Sequence, residues 1–310
     1  MGVVGTIASR YRKRVSPLPT GPPIGPSLPP GYIVVLPGRG ETFARVNVGS
    51  DQGRPTLFLL HGWTATADLQ WCTAYEALGV YNFVAIDHRG HGRGIRSEEP
   101  LTFEAAADDA AATLRALGHG PVIAVGYSMG GPIAMQLCRR HPDLVRGLVL
   151  VATALEWRAK RWERLHWRTM PVVEGFFRSR FALRYARRVL AFTLDDDGEV
   201  GTWASWMMAE LRRGDPRALR EVGDALARHD ARPWARELGV PSAVLVTADD
   251  RWVWPRKQRA LAKALGADVV EVRGDHLTFL SHPDDFADAL AKAIGIVESA
   301  KQNRSQDLTG

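Results

Sequence analysis

The sequence predicts an α/β fold: a mostly parallel, doubly wound sheet carrying an inserted helical cap. Three observations predict it. Short β-branched runs without polar alternation recur along the chain, as strands buried on both faces require. Segments with helical spacing lie between them. The alternation stops once, from Leu155 to Arg236, where no strand-like run occurs over a length too great for a plain loop.

The first thirty residues read as a flexible arm. A basic opening with Arg10, Arg12, Lys13 and Arg14 leads into Pro17, Pro19, Pro22, Pro23, Pro26, Pro29 and Pro30, a density that blocks helices and ladders. Tyr32–Leu36 and Phe43–Val48, separated by Pro37-Gly38-Arg39-Gly40, read as a hairpin. Thr56–Leu60, Phe83–Asp87, Val122–Gly126, Leu148–Ala152, Ala243–Thr247 and Val269–Val272 have strand length and composition. Thr102–Leu117, Met129–Arg140, Pro255–Leu265 and Pro283–Ile296 read as helices. The expected organisation is an arm over residues 1–30, a core over 31–154 and 237–297, a helical cap over 155–236 and a disordered polar tail over 298–310.

Composition agrees with a folded chain. Of 310 residues, 45% are hydrophobic and 24% charged, which excludes disorder or a fibrous repeat for most of the length. Cys72 and Cys138 are too few for a disulfide framework or a four-thiolate zinc site. They fit a reducing compartment, and the expected location is cytoplasmic. No apolar run reaches the ~18 residues of a membrane span, and no apolar core follows the basic opening as a secretion signal needs. Residues 156–190 carry ten Lys or Arg against Glu156, Glu163 and Glu174. No nucleic-acid-binding motif accompanies this charge, so nucleic acid is not an expected partner. The functional readings are peripheral contact with a membrane or steering of an anionic substrate; the bland one is a solvated face.

The chemistry centres on Gly126-Tyr127-Ser128-Met129-Gly130-Gly131, a G-x-S-x-G motif between a strand-like and a helix-like run. Such a turn is tight enough to need its glycines and lifts the Ser128 hydroxyl clear of the backbone. It also sets the Met129 amide where a helix begins, ready to donate to a developing oxyanion. Leu60-His61-Gly62-Trp63 ends an earlier strand, and the Trp63 amide is the second expected donor. A serine nucleophile needs a base, and the base needs an orienting acid. Asp250, just after Ala243–Thr247, is assigned as acid and His276, just after Val269–Val272, as base. Asp249 is the rival acid, since spacing alone does not separate adjacent carboxylates. His61 is read as shaping the oxyanion loop, and His88 and His91 as turn residues. His119, His141, His166, His229 and His282 are read as surface or cap residues. No metal and no cofactor are expected.

These residues resemble the α/β-hydrolase superfamily, in its serine-nucleophile branch with a helical cap, which holds esterases, lactonases and haloperoxidase-type enzymes. The resemblance runs from about Tyr32 to Ile296. It rests on His61-Gly62-Trp63, Asp87-His88-Arg89-Gly90-His91-Gly92, the Ser128 motif, Asp249-Asp250-Arg251-Trp252-Val253, and His276 followed by His282-Pro283. It implies Ser128 as nucleophile, Asp250 as acid, His276 as base, and the Trp63 and Met129 amides as the oxyanion hole. Three positions depart from the family pattern: Thr247 and Asp275 stand where glycines are usual, and Gly94 where a serine is.

The implied activity is hydrolysis of a carboxylic ester, lactone or thioester through an acyl-enzyme on Ser128. A serine at the elbow excludes epoxide and haloalkane hydrolysis, which need a carboxylate nucleophile. An acyltransferase or a haloperoxidase- or perhydrolase-type enzyme is the alternative, and a complete triad disfavours a non-enzymatic receptor. Eight of the ten tryptophans lie at or beyond Trp157. Aromatic packing of the cap and an apolar pocket beneath it are compatible readings, so the expected substrate is a small apolar or aromatic acyl compound.

Overall fold

The computed structural model describes residues 25–51, 53–157 and 203–306. Strands β1 (Gly31–Leu36) and β2 (Gly40–Asn47) form the expected hairpin. Its turn closes with the Arg39 amide donating to the Leu36 carbonyl at 2.9 Å, and Gly38 takes φ +74°. Then β3 (Leu57–Leu60), α1 (Ala67–Trp71), β4 (Phe83–Ile86), α2 (Phe103–Ala116), β5 (Val122–Tyr127), α3 (Gly130–Arg140) and β6 (Val145–Val151) follow in strand–helix alternation. Within the predicted cap stretch lie α4 (Ala204–Leu211) and α5 (Pro216–Arg228). The chain closes with β7 (Ser242–Thr247), α6 (Pro255–Leu265), β8 (Asp268–Val272), the short α7 (Thr278–Ser281) and α8 (Pro283–Gln306).

The eight strands form one sheet in the order β1-β2-β4-β3-β5-β6-β7-β8. β2 pairs antiparallel with both β1 and β4, and all pairings from β4 through β3 to β8 are parallel. The apolar runs lack alternation because both faces are covered. Phe58, Leu60, Val84, Ile86, Ala124 and Leu150 point into the core under α2, α3 and α6. Their neighbours Leu57, Leu59, Phe83, Ala85, Val125 and Val151 point the other way, into the core shared with α1 and α8. The period of two survives, but each face buries an apolar side chain.

Helix starts are chemically marked. The Thr102 hydroxyl accepts from the Ala105 amide at 3.0 Å to cap α2, and the Thr66 hydroxyl accepts from Leu69 at 3.1 Å to cap α1. The cap helices dock on the loops that follow β3 and β4. The Asp215 amide donates to Gly90 O at 2.8 Å, and the Trp63 indole N–H donates to Leu219 O at 2.9 Å. Gly90 takes φ +71°, and a Cβ there would lie 2.1 Å from Ala218 Cβ, so only glycine lets α5 approach this closely. Trp157, Trp203 and Trp234 are buried, and Trp157 and Trp234 pack edge-on against His229. His229, read as a surface or cap residue, is therefore buried, as the helix end it terminates is closed by aromatic rings.

Two boundaries differ from the sequence reading. The tail expected to be disordered over 298–310 is helical as far as Gln306, where α8 ends, and residues 307–310 lie outside the described residues. No glycine or proline falls between Gly295 and Gln306, and Glu298 accepts from Tyr81 Oη at 3.1 Å. The arm expected to stay flexible to residue 30 is tied down at its end: Arg45 Nη1 donates to Pro29 O at 2.7 Å and the Val46 amide donates to Pro30 O at 3.0 Å. Residues 1–24 of the arm lie outside the described residues, as do residues 158–190 of the basic stretch with Trp162, Trp167, Phe176, Phe177 and Phe181.

Two ion pairs that share one carboxylate join three elements. Asp109 on α2 accepts from Arg89 in bidentate geometry and from Arg39 Nη1 of the β1–β2 turn at 2.9 Å. Arg89 and Asp109 are both buried, so removing one leaves the other charged and unsatisfied. Asp109→Ala is expected to destabilise the fold by about 3–5 kcal/mol, read as a fall in the denaturant midpoint. An unchanged midpoint would mean that solvent reaches the Arg89 guanidinium.

Candidate active site

Strand β5 ends at Tyr127 and α3 begins at Gly130, leaving two residues to reverse the chain. Ser128 makes that reversal with φ +50°, a left-handed conformation costing a non-glycine residue on the order of 1 kcal/mol. The backbone holds it there. Its amide donates to Val151 O at 2.8 Å, and its carbonyl accepts from the Gly131 amide at 3.0 Å and the Thr153 hydroxyl at 2.8 Å. Gly130 is required by space: a Cβ would lie 2.1 Å from the Leu60 carbonyl oxygen.

His276 Nε2 lies 3.0 Å from Ser128 Oγ, and His276 Nδ1 lies 2.7 Å from Asp250 Oδ2. Three residues from three separate loops thus meet at the carboxyl ends of β5, β7 and β8. The Tyr127 hydroxyl fixes the histidine's backbone, donating to His276 O at 2.8 Å. Burial raises the Tyr127 pKa well above its ordinary value, so this donor stays protonated. Asp250 is buried, and both its oxygens are engaged. Oδ1 accepts from the amides of Trp252 at 2.8 Å and Val253 at 2.9 Å. Oδ2 accepts from the Thr247 hydroxyl at 2.9 Å as well as from His276. Burial pushes the Asp250 pKa up, but the His276 hydrogen bond and charge, the Val253 amide and the Thr247 hydroxyl outweigh it. The carboxyl therefore titrates below its ordinary value.

The geometry separates the two candidate acids. Asp249 is exposed; its amide donates to Gly274 O at 3.0 Å and its Oδ2 accepts from the Gly274 amide at 3.3 Å, so it pairs the two loops. Asp275 Oδ1 accepts from the Leu277 amide at 2.8 Å and serves its own turn. The imidazole is aimed at Asp250.

The loop after β3 is braced from behind. His61 Nδ1 lies 2.8 Å from Gly62 O, and His61 Nε2 accepts from the His88 amide at 3.0 Å. Those partners together require the neutral, Nδ1-protonated tautomer, and burial pushes the His61 pKa down to about 4. The Gly62 amide donates to Gln70 Oε1 at 3.2 Å. A Cβ on Gly62 would lie 3.5 Å from Ser128 Cβ, so the backbone leading into Trp63 runs beside the serine. Met129 follows Ser128 directly at the start of α3. At the rim, the exposed Trp252 ring lies 5.2 Å from the His276 ring, centroid to centroid.

Sequence reasoning missed Gln70, Gln258 and the bracing role of Tyr127. Gln258 carries a readable signal: it is a polar residue on the same face of α6 as Leu261 and Ala262, both buried. Tyr127 sits inside the quoted motif, where only tertiary contact reveals its partner. Among the described residues, no group of three or more His, Cys, Asp or Glu is arranged to hold a metal. No helix among them is long and apolar enough to cross a membrane.

Comparison with known proteins agrees with the fold. The model of the alpha/beta hydrolase fold matches residues 55–283. The chain belongs to the alpha/beta hydrolase fold family. It is 32% identical over 239 residues to a pimeloyl-[acyl-carrier protein] methyl ester esterase of Neisseria meningitidis, covering 74% of this chain and 90% of that one. An enol-lactonase from Burkholderia xenovorans superposes with a TM-score of 0.73 at 22% identity, covering 85% of this chain and 100% of that one. A bromoperoxidase from Bacillus anthracis superposes with a TM-score of 0.72 at 16% identity, covering 86% and 100%; at such identities the likeness concerns the fold. The chain is a carboxylic-ester hydrolase.

Acid stability follows from the buried histidines around this site and the cap. Burial pushes the pKa of His61 and His229 down to about 4 and that of His91 to about 3, and holds His88 well below the ordinary value. Folded values lie below unfolded ones, so the linked stability is complete above the unfolded value near ~6.5 and is lost as pH falls toward the folded values. Between pH ~6 and ~5, the unfolding free energy is expected to fall by more than ~1.4 kcal/mol, the slope of one proton. Urea midpoints across that range measure it; a flat profile would contradict burial of these rings in neutral form.

Proposed function

We propose that the chain is a serine hydrolase that cleaves a carboxylic ester through an acyl-enzyme on Ser128. The observation that carries this reading is the continuous contact from Ser128 Oγ to His276 Nε2 at 3.0 Å and from His276 Nδ1 to Asp250 Oδ2 at 2.7 Å. In the proposed reaction Ser128 Oγ attacks the ester carbonyl carbon while His276 Nε2 takes its proton. Asp250 holds the imidazole in the Nδ1–H tautomer and stabilises the imidazolium. The amides of Trp63 and Met129 donate to the oxyanion. Collapse of the tetrahedral species expels the alcohol, which leaves with the proton from His276. Water, deprotonated by the same nitrogen, then attacks the acyl-enzyme, releases the acid and restores Ser128.

A named relative supports a reading of the substrate class. Because the Neisseria meningitidis relative is named for the methyl ester of a carrier-linked acyl chain, we propose a methyl or other small-alcohol ester of an apolar acyl group. We place the reaction in the cytoplasm, where the thiols of Cys72 and Cys138, both free and buried, stay reduced. The basic stretch from residue 156 is proposed to make peripheral contact with anionic membrane lipids, which vesicle co-sedimentation at low and high salt tests.

Hydrolysis of short-chain p-nitrophenyl esters and of methyl esters of dicarboxylic acyl chains, without added metal, is the expected activity. Ser128→Ala and His276→Ala are each expected to lose ~10³-fold or more in kcat, because the members of such a unit fail together. Asp250→Asn should cost far more than Asp249→Asn, since only the former removes the charge that faces the imidazole. Retained turnover in Ser128→Ala ends the serine-hydrolase reading, and faster acyl transfer to alcohol, amine or peroxide than to water would favour the transferase or perhydrolase alternative.

A further inference from the structure

Thr247 stands where the resembled family places a glycine, and its side chain is not idle. It is fully buried at the end of β7, with its hydroxyl 2.9 Å from Asp250 Oδ2. Its partner on the other side is Gln258, also fully buried, on α6. Gln258 Oε1 accepts from the Thr247 amide at 3.1 Å, while Gln258 Nε2 donates to Val253 O at 2.7 Å and to Thr247 Oγ1 at 2.8 Å. The carboxamide has one allowed orientation: flipping it would set its oxygen against the Val253 carbonyl and its NH2 against the Thr247 N–H. Thr247 Oγ1 therefore accepts from Gln258, and its own proton points at Asp250 Oδ2. Gln258 Nε2 also lies 3.3 Å from that oxygen.

We propose that Thr247 and Gln258 are a coupled pair of positioning residues for Asp250. Resting on the reading of Ser128, Asp250 and His276 as a catalytic unit, the proposal adds what aims the acid. The Trp252 and Val253 amides hold Oδ1, and the Thr247–Gln258 pair holds Oδ2, so the carboxylate cannot rotate away from His276 Nδ1. A glycine at 247 would leave Gln258 Nε2 without its hydroxyl acceptor and Oδ2 without its second strong donor. The hydroxyl and the buried amide thus work as one device.

The test is a double-mutant cycle with Thr247→Val, Gln258→Met and the pair together, plus Thr247→Ser. Readouts are kcat and KM on one p-nitrophenyl ester, the downfield proton resonance of His276 Nδ1–H, and the denaturant midpoint. Thr247→Val keeps shape and volume and removes only the hydroxyl. Its kcat is expected to fall by ~3- to ~30-fold, far short of the ~10⁴-fold that removing the acid's charge costs, with KM within about two-fold, because misaiming the base spares ground-state binding. The Nδ1–H resonance is expected to move, and Thr247→Ser to return both the resonance and kcat toward wild type. Gln258→Met is expected to lower kcat less than Thr247→Val, and the double variant to lose no more than Thr247→Val alone, since coupled residues are not additive. Wild-type kcat and resonance in Thr247→Val overturn the proposal, as does a Thr247→Ser variant that behaves like the valine one. If Thr247→Val lowers the midpoint so far that it does not fold, Gln258→Met and Thr247→Ser still decide: wild-type kcat and resonance in Gln258→Met, or a folded Thr247→Ser whose kcat and resonance lie far from wild type, overturn it. Failure of the underlying reading is distinguishable, because there Ser128→Ala would keep wild-type turnover and wild-type protein would not be labelled by a fluorophosphonate.

Discussion

The turn between β5 and α3 is the constraint on which the other features depend. A single left-handed residue reverses the chain at the centre of the sheet, with β3 on one side of β5 and β6 on the other. The turn closes only because Gly130 passes close against the Leu60 carbonyl and Ser128 is bonded on both sides, to Val151 and Thr153. The strained serine is tolerated because its surroundings over-determine it. The same packing directs its hydroxyl to the sheet's carboxyl edge, where parallel strands deliver the other loops.

Charge buried beneath the cap binds the loops of that edge to one another. Arg93 reaches Asp68 at 2.9 Å and Asp87 at 3.1 Å, and lies 3.7 Å from Glu210 of α4. Arg45 holds Asp68 in a bidentate pair at 2.8 Å for each bond. Glu210 in turn accepts from the Thr66 hydroxyl at 2.9 Å, the residue that caps α1 directly after the His61–Ala65 loop. Burial pushes the Asp68 pKa up, yet Arg45 and Arg93 hold it below its ordinary value, so this carboxylate stays ionised. Cap helix α4 is thereby clamped to the loop beside Ser128.

Around His276 the same logic operates with one carboxylate braced by neutral groups. Tyr127 holds its backbone, Trp252 covers one side of its ring, and Asp250 sets its tautomer. Asp250 is itself held by two amides, a hydroxyl and, through that hydroxyl, a buried glutamine. Each polar group is buried and paired, so the arrangement is stiff before any substrate arrives, which is what electrostatic preorganisation requires.

The sequence by itself determined the strand–helix alternation, the hairpin, the elbow around Ser128 and the shortlist of acids and base. These follow from local chemistry: β-branched runs, glycines at a forced turn, a proline opening α6, and residue types able to move a proton. It did not determine which of Asp249 and Asp250 faces the imidazole, since adjacent residues on a loop point in different directions only once β7 and β8 are paired. Nor did it reveal Gln258, Gln70 or the Tyr127 contact, because their partners lie far away along the chain or on other elements. The end of α8 was misread for a similar reason: a polar helix end looks frayed until Tyr81 is found beside Glu298. Periodicity and motif are local properties, whereas the direction of a hydrogen bond between two loops exists only after the sheet has brought them together.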